Sequence, residues 1–221
     1  MTTYRDFIVG IDLGQARDYT AVAFVEMIED EIGRPHDKDY DVERRFEVPQ
    51  ITRFPLGVSY VEVVNEIAKA VKHLPGADRV TLVVDATGCG RPVVDYMRQH
   101  DLVQKYGADL RPVTIVGGQT VTADADGWHV PKRVLVSNMK VLIETGAVKF
   151  RAGMEEAAAV KKEMAAFKVK ISAAGNDSYE AWRESDHDDM VLATSIALWV
   201  GKERLCSNIP AHPLYRAAAF Y

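Results

Sequence analysis

The stretch "SDHDDMVLATSIALW", residues 185–199, gathers Asp186, Asp188 and Asp189 at the mouth of an otherwise almost wholly apolar run. Ser185 with Asp188 three residues later reads as a capping box, and first-turn carboxylates favour a helix dipole by roughly 0.3–1 kcal/mol each. That accounts for one or two of the acids. Asp189 borders the apolar residues Met190 to Val200, where a buried carboxylate without a partner is costly. No Lys or Arg lies between Asp186 and Val200, so the counter-charge has to come from elsewhere in the fold or from a bound metal. Asp12 and Asp85 raise the same difficulty. Each ends an apolar, strand-like run, "DFIVGID" and "RVTLVVD", at a position where alternation calls for another core residue.

A lone aspartate at a strand end is ordinarily a turn-former. Two on buried strands, with a third group opening a buried helix, fit a convergent carboxylate site better. Such a site suits hard divalent cations, Mg²⁺ or Mn²⁺, rather than zinc, because Cys and His ligands are missing. Two ions held about 3.5–4 Å apart by shared aspartates activate a water and stabilise the leaving oxygen in an in-line attack on phosphorus. Phosphodiester hydrolysis is the chemistry this donor set implies.

The elements that must position these acids are legible in the hydrophobic periodicity. "DFIVGID" and "YTAVAFVEMIE" read as two hairpin-linked strands, and "RRFEVPQI" as a third, edge-like strand with Pro49 near its end. The period then changes: Val61, Val64, Ile67, Ala68, Val71 and Leu74 recur at helical spacing up to Pro75-Gly76. "RVTLVVD" is the fourth strand, followed by a glycine-rich turn and the helix "RPVVDYMRQH", and "LRPVTIVGG" is the fifth. A meander followed by strand, helix, strand, helix, strand predicts one mixed α/β sheet. Asp126-Gly127 predicts a protruding hairpin, and helices follow over "KRVLVSNMKVLIETG", "GMEEAAAVKKEMAAFKV" and "SDHDDMVLATSIALWVGKERL".

Bulk composition bounds the answer. The chain has 221 residues, 48% of them apolar, enough to bury a core without staples. Cys89 and Cys206 match no zinc or redox spacing and read as free thiols of a reducing compartment. No targeting segment or unbroken apolar run of about 18 residues is visible, so a soluble, cytoplasmic protein without membrane contact is expected. Net charge is −5, the wrong sign for a broadly basic nucleic-acid surface. Charge is segregated, however: Lys132, Arg133, Lys140, Lys149 and Arg151 face Glu144 alone between residues 132 and 151, which leaves room for a local basic face.

"GIDLGQARDYTAVAFV", "LVVDATGCGRPVVDYM" and "HDDMVLATSIALW", in that order, resemble the C-terminal nuclease domain of the large terminase subunit of tailed bacteriophages, within the RNase H-like superfamily that includes RuvC-type resolvases. The likeness spans about residues 7 to 200 and takes in Pro131-Lys132 before a helix and "EMAAFKVKIS" ahead of the last motif. It implies a single RNase H-like domain over residues 1–221 with a tail from about 204. The implied fold is α/β: a mixed five-stranded sheet of order 3-2-1-4-5, flanked by helices, with an extra β-hairpin. The resemblance also implies that Asp12, Asp85 and Asp189 ligate two Mg²⁺ or Mn²⁺ ions, and that Asp188 supports the site or binds the second ion. The activity implied is endonucleolytic cleavage of duplex DNA during viral genome packaging. Little sequence preference is expected, since no recognition helix or zinc module is visible. The implied partners are double-stranded DNA, a packaging ATPase, the small terminase subunit and the portal. Family members usually carry an N-terminal ATPase motor. This chain has no G-x-x-x-x-G-K-[ST], and "TGCGRP" lacks the lysine, so an excised domain or a separately encoded nuclease is expected.

Lys132 and Arg133 are the candidate phosphate-gripping residues, set against an ordinary helix-start surface. His187 reads as a solvated first-turn residue or a proton relay. Lys161, Lys162, Lys168 and Lys170 form a solvated or DNA-facing face, and Trp128 a hairpin-tip contact. Asp18, Thr20, Gly88 and Gly90 are explained by turn chemistry. Two rivals remain. "GIDLG" is also similar to the first phosphate motif of actin, sugar-kinase and Hsp70-like ATPases, and a non-catalytic packaging module of the same fold would need none of the acids.

Overall fold

The computed structural model describes residues 2–14, 18–33, 41–74, 79–88, 90–173 and 188–205. Three long strands form first: β1 (Thr2–Asp12), β2 (Ala21–Ile32) and β3 (Asp41–Arg53). Helix α1 (Tyr60–Lys72) leads to β4 (Arg79–Asp85), α2 (Gly90–Gln99), a single turn α3 (Asp101–Gln104) and β5 (Asp109–Val116). The hairpin β6 (Thr122–Asp124) and β7 (Gly127–Pro131) precedes α4 (Lys132–Glu144), β8 (Val148–Phe150), α5 (Ala157–Ala173) and α6 (Asp189–Leu205).

All eight strands join one sheet of order β6-β7-β5-β4-β1-β2-β3-β8. The expected order 3-2-1-4-5 is its centre, with β1 antiparallel to β2 and parallel to β4. The edges differ from the sequence reading. β8 pairs in parallel with β3 over Phe46–Val48, so β3 is not an edge. Only three residues long, β8 carries too few side chains for a periodic signal. The hairpin extends the sheet, because β7 pairs with β5. Pro49 is tolerated inside β3 because the β2–β3 register shifts between Phe24 and Glu26, opposite it.

Alternation splits the core into two layers. Val9, Ile11, Val22, Phe24, Leu82 and Val84 face α1 and α2, while Ile8, Ala21, Ala23, Val25, Val83 and Val113 face α4, α5 and α6. In α1 the buried residues are Val63, Val64, Ile67 and Ala68, and Val61 is exposed. Val64, Ile67, Ala68, Val71 and Leu74 pack as expected and Val63 takes the place of Val61, with the Ser59 hydroxyl accepting from Glu62 N at 3.1 Å to fix the helix start. Helix α6 is buried on every side from Asp189 to Gly201, which explains why its sequence after Asp189 is apolar almost throughout, with only the small polar residues Thr194 and Ser195, rather than striped.

One close approach seats α6. A Cβ on Gly10 would overlap the Ala193 carbonyl oxygen, so glycine at position 10 lets the helix backbone lie directly on β1. Ala193 is one helical turn beyond Asp189, and Gly10 is two residues before Asp12. The contact thus brings the opening of α6 to the carboxyl end of β1.

Candidate active site

Ile8 and Ala21 both lie in the layer covered by α6, and residues two and four positions on along a strand keep to the same face. Asp12 follows Ile8 by four and Asp85 follows Val83 by two, so both carboxyls belong to the α6 face, at the position where the next core side chain would stand. The pairing of Ile11 with Val84 puts Asp12 and Asp85 on adjacent strands, one residue further on. Asp12 is partly buried and Asp85 is buried at 9% exposure.

Burial dominates the electrostatics, and at Asp12 crowding adds to it. Burial pushes the Asp12 carboxyl well above the usual carboxylate range, the charges of Asp85, Asp189 and Asp188 push it further, and Lys132 opposes them. Burial also raises Asp85, against hydrogen bonds from the Thr87 hydroxyl and backbone N–H, the Asp12 carboxyl and the Ile115 backbone. The Thr87 N–H donates to Asp85 Oδ1 at 2.8 Å, an Asx turn. Gly88, at φ 64°, completes this turn, and a Cβ on Gly90 would overlap the Asp85 carbonyl oxygen. Both glycines therefore shape the loop around Asp85. Cys89 and His187 lie outside the described residues.

Helix α6 begins later than its sequence suggests. Asp189 is its first residue, and the Asp188 carbonyl accepts from Leu192 N at 2.9 Å. Asp188 therefore holds the position before the helix, not the fourth place of a capping box opened by Ser185, a residue outside the described ones. Its carboxylate accepts from Lys132 Nζ at 2.7 Å, across from the first residue of α4. Asp189 is buried at 7% exposure, with Arg53 Nη2 3.3 Å from its Oδ2. The counter-charges missing from the local sequence are thus Lys132 and Arg53.

Arg53 and Glu163 were not singled out by sequence. Arg53 ends β3 and is aligned through Ala21 with Asp12: Asp12 pairs with Ala21, and Ala21 with Arg53. Its guanidinium lies 5.1 Å over the Tyr19 ring and contacts Glu163 on α5 as well as Asp189. Glu163 is buried at 6% exposure, and its Oε2 accepts from Val191 N at 3.2 Å. The available signal was Arg53 itself, a cation two residues past the core residue Ile51 on the same alternation as Asp12. Glu163 opens the stretch "EMAAFKVKIS" noted in the resemblance, but no role was assigned to it because its helix is lysine-rich and looked solvated.

Lys132 lies within the acidic group, whereas Arg133 lines a separate groove of about 500 Å³ with Ser137, Trp199 and Lys202. Trp128 is not a hairpin tip: it is a partly buried residue of β7, edge-to-face with Trp199 at 5.9 Å. Thr20 is buried and its hydroxyl accepts from Gly14 N at 3.2 Å, closing the β1–β2 link. Lys161 and Lys162 are exposed on α5, and the side chains of Lys168 and Lys170 lie outside the described residues. No described helix is long and apolar enough to cross a membrane.

The donor set is carboxylate oxygen throughout, which suits a hard divalent cation, and the repulsion that raises Asp12 is what a cation would relieve. Among the described residues no group of three or more His, Cys, Asp or Glu side chains stands as a ready-made cage. Asp188 and Asp189 are turned instead to Lys132 and Arg53.

The strand order and two flanking helix layers define an α/β protein of RNase H-like fold. No protein-family model matches the chain, and no curated protein matches it in sequence. Among solved structures it is similar to the human cytomegalovirus terminase nuclease domain. The Mn-soaked form is 12% identical over 96% of this chain and 87% of that one, with TM-score 0.50. A second structure of that domain is 12% identical over 89% and 84%, again at TM-score 0.50. At this identity the likeness is one of fold, and it agrees with the terminase-nuclease resemblance carried by the sequence motifs.

Proposed function

We propose that this chain is a metal-dependent endonuclease of the terminase type, cleaving duplex DNA with little sequence preference. The observation that carries the reading is the Asp12 carboxyl at the end of β1, raised by burial and further by the charges of Asp85 on β4 and of Asp189 and Asp188 at the start of α6. Perturbed carboxylates brought together from distant elements mark functional sites more often than structural ones. The comparison domain was soaked with Mn, which supports divalent-metal use in a site of this fold.

In this reading Asp12, Asp85 and Asp189 hold the metal, Mg²⁺ or Mn²⁺, and Asp188 supports it or holds a second ion. When bound, such ions supply an activated water and stabilise charge on the leaving oxygen of a phosphodiester. Asp85, fixed by the Thr87 N–H, presents its remaining oxygen lone pairs in a defined direction. Lys132 donates to Asp188 and stands beside the acids, where it meets an incoming phosphate. Arg133 and Lys202, in the separate groove along α4 and α6, grip the DNA backbone through charge without reading sequence. The residues 1–221 act as one nuclease domain, and DNA translocation falls to a packaging ATPase that this chain's motifs do not supply.

Plasmid cleavage tests the reading. Purified protein nicks or linearises supercoiled DNA with Mn²⁺ or Mg²⁺, EDTA stops it, and Asp189→Ala removes it. Equal cleavage by Asp189→Ala and the parent protein would overturn the assignment.

A further inference from the structure

Arg53 presents an electrostatic problem for a metal site. A fixed guanidinium with its Nη2 3.3 Å from Asp189 Oδ2 repels any divalent cation seeking that carboxylate and competes for its oxygens. Glu163 supplies the answer within the fold. It is buried, it contacts the same Nη2 of Arg53 through Oε1, and its other oxygen is anchored by Val191 N at 3.2 Å. Val191 is the third residue of α6 and Asp189 the first, so Glu163 is fixed to the helix that carries Asp189. Arg53 is held between the two acids, supported from the other side by Tyr19.

We infer that Glu163 is a positioning residue that ties Arg53 back, leaving the Asp189 carboxylate available to a divalent cation. Built on the nuclease reading above, the inference gives Arg53 a defined role as well. Arg53 neutralises the buried Asp189 while no metal is bound, and Glu163 keeps that pairing from closing into a two-pronged Arg–carboxylate clamp, the strongest geometry open to it. Without the Glu163 charge, Arg53 turns fully to Asp189 and excludes the cation.

The test measures Mn²⁺ uptake by the whole chain in the absence of DNA, from the free-Mn²⁺ electron paramagnetic resonance signal. Glu163→Gln keeps an oxygen to accept from Val191 N and removes only the charge. Its Mn²⁺ affinity falls about tenfold, the size of effect typical when a residue behind a metal ligand is altered. Adding Arg53→Gln removes the competitor and returns the affinity to within about threefold of the parent. Arg53→Gln alone binds Mn²⁺ at least as tightly as the parent, which decides the matter even where Glu163→Gln does not fold. Unchanged affinity in Glu163→Gln, a double variant no tighter than Glu163→Gln, or a weakened Arg53→Gln each overturns the inference while leaving the nuclease reading intact. A parent protein that takes up no Mn²⁺, or whose uptake survives Asp12→Asn, overturns that reading and this inference with it.

Discussion

The two ends of the central strands treat their acids in opposite ways. At the far end, where β1 begins and β2 ends, the β2 acids Glu26, Glu29 and Asp30 meet donors from neighbouring strands. Arg5 pairs with Glu26 at 2.5 Å, Arg44 with Glu29 at 2.8 Å, and Asp30 with both the Thr3 hydroxyl and Arg45. The Thr3 hydroxyl and then Arg45 hold the Asp30 carboxyl below its ordinary range. At the other end Arg53 faces both Asp189 and Glu163, Lys132 faces Asp188, and Asp12 and Asp85 are pushed up by burial. The same sheet thus holds acids matched to donors at one end and acids raised by burial and by one another at the other, the group to which the proposed nuclease reading assigns the metal.

The largest expected contrast is catalytic. Asp12→Asn lowers Mn²⁺-dependent plasmid cleavage by about 10²–10³-fold, the loss typical of one preorganised electrostatic group, while Asp30→Asn leaves it unchanged. Comparable losses from both substitutions would dissolve the distinction between the two ends. Next comes the seating of α6. Gly10→Val forces a side chain into the Ala193 carbonyl and costs about 1–3 kcal/mol by overpacking. Denaturant melts should show the loss, and cleavage should fall further than stability alone explains because Asp189 moves with the helix.

Smaller, and opposite in sign at the two ends, are the effects of pH on the metal-free protein in EDTA. The Asp12 carboxyl is raised in the folded state, so the fold binds its proton more tightly than the unfolded chain does. Stability is therefore lost as pH climbs from the unfolded carboxylate value, about 3.9, through the raised folded one. Asp12→Asn escapes this loss: it melts higher than the parent at pH 7, by about 2–4 °C for each kcal/mol of relieved repulsion, and equally at pH 3. Asp30 behaves in reverse. Its lowered value means that its contribution is present at pH 7 and disappears as pH falls through the folded value, so Asp30→Asn melts lower at pH 7 and the gap closes in acid. Thermal melts at both pH values check the two signs together.

Chain-local physics made much of this legible. The alternation of β1 and β4 fixed which face Asp12 and Asp85 would share, because side-chain period and burial are properties of a few consecutive residues. Element type and the rules of connection gave one mixed sheet, and the order of its first five strands came from the family resemblance of the motifs. The start of α6 did not: Ser185 and Asp188 form a plausible capping box on paper, yet the helix opens at Asp189, with a remote carboxylate, Glu163, accepting from its first turn. Likewise the cations answering Asp188 and Asp189 come from α4 and β3, 56 and 136 positions away. What the sequence determined by itself was the kind of chemistry, since carboxylates set against apolar runs are expensive wherever they end up. Only the tertiary structure decided which charges meet, because that depends on contacts between segments whose separation along the chain leaves no periodic trace.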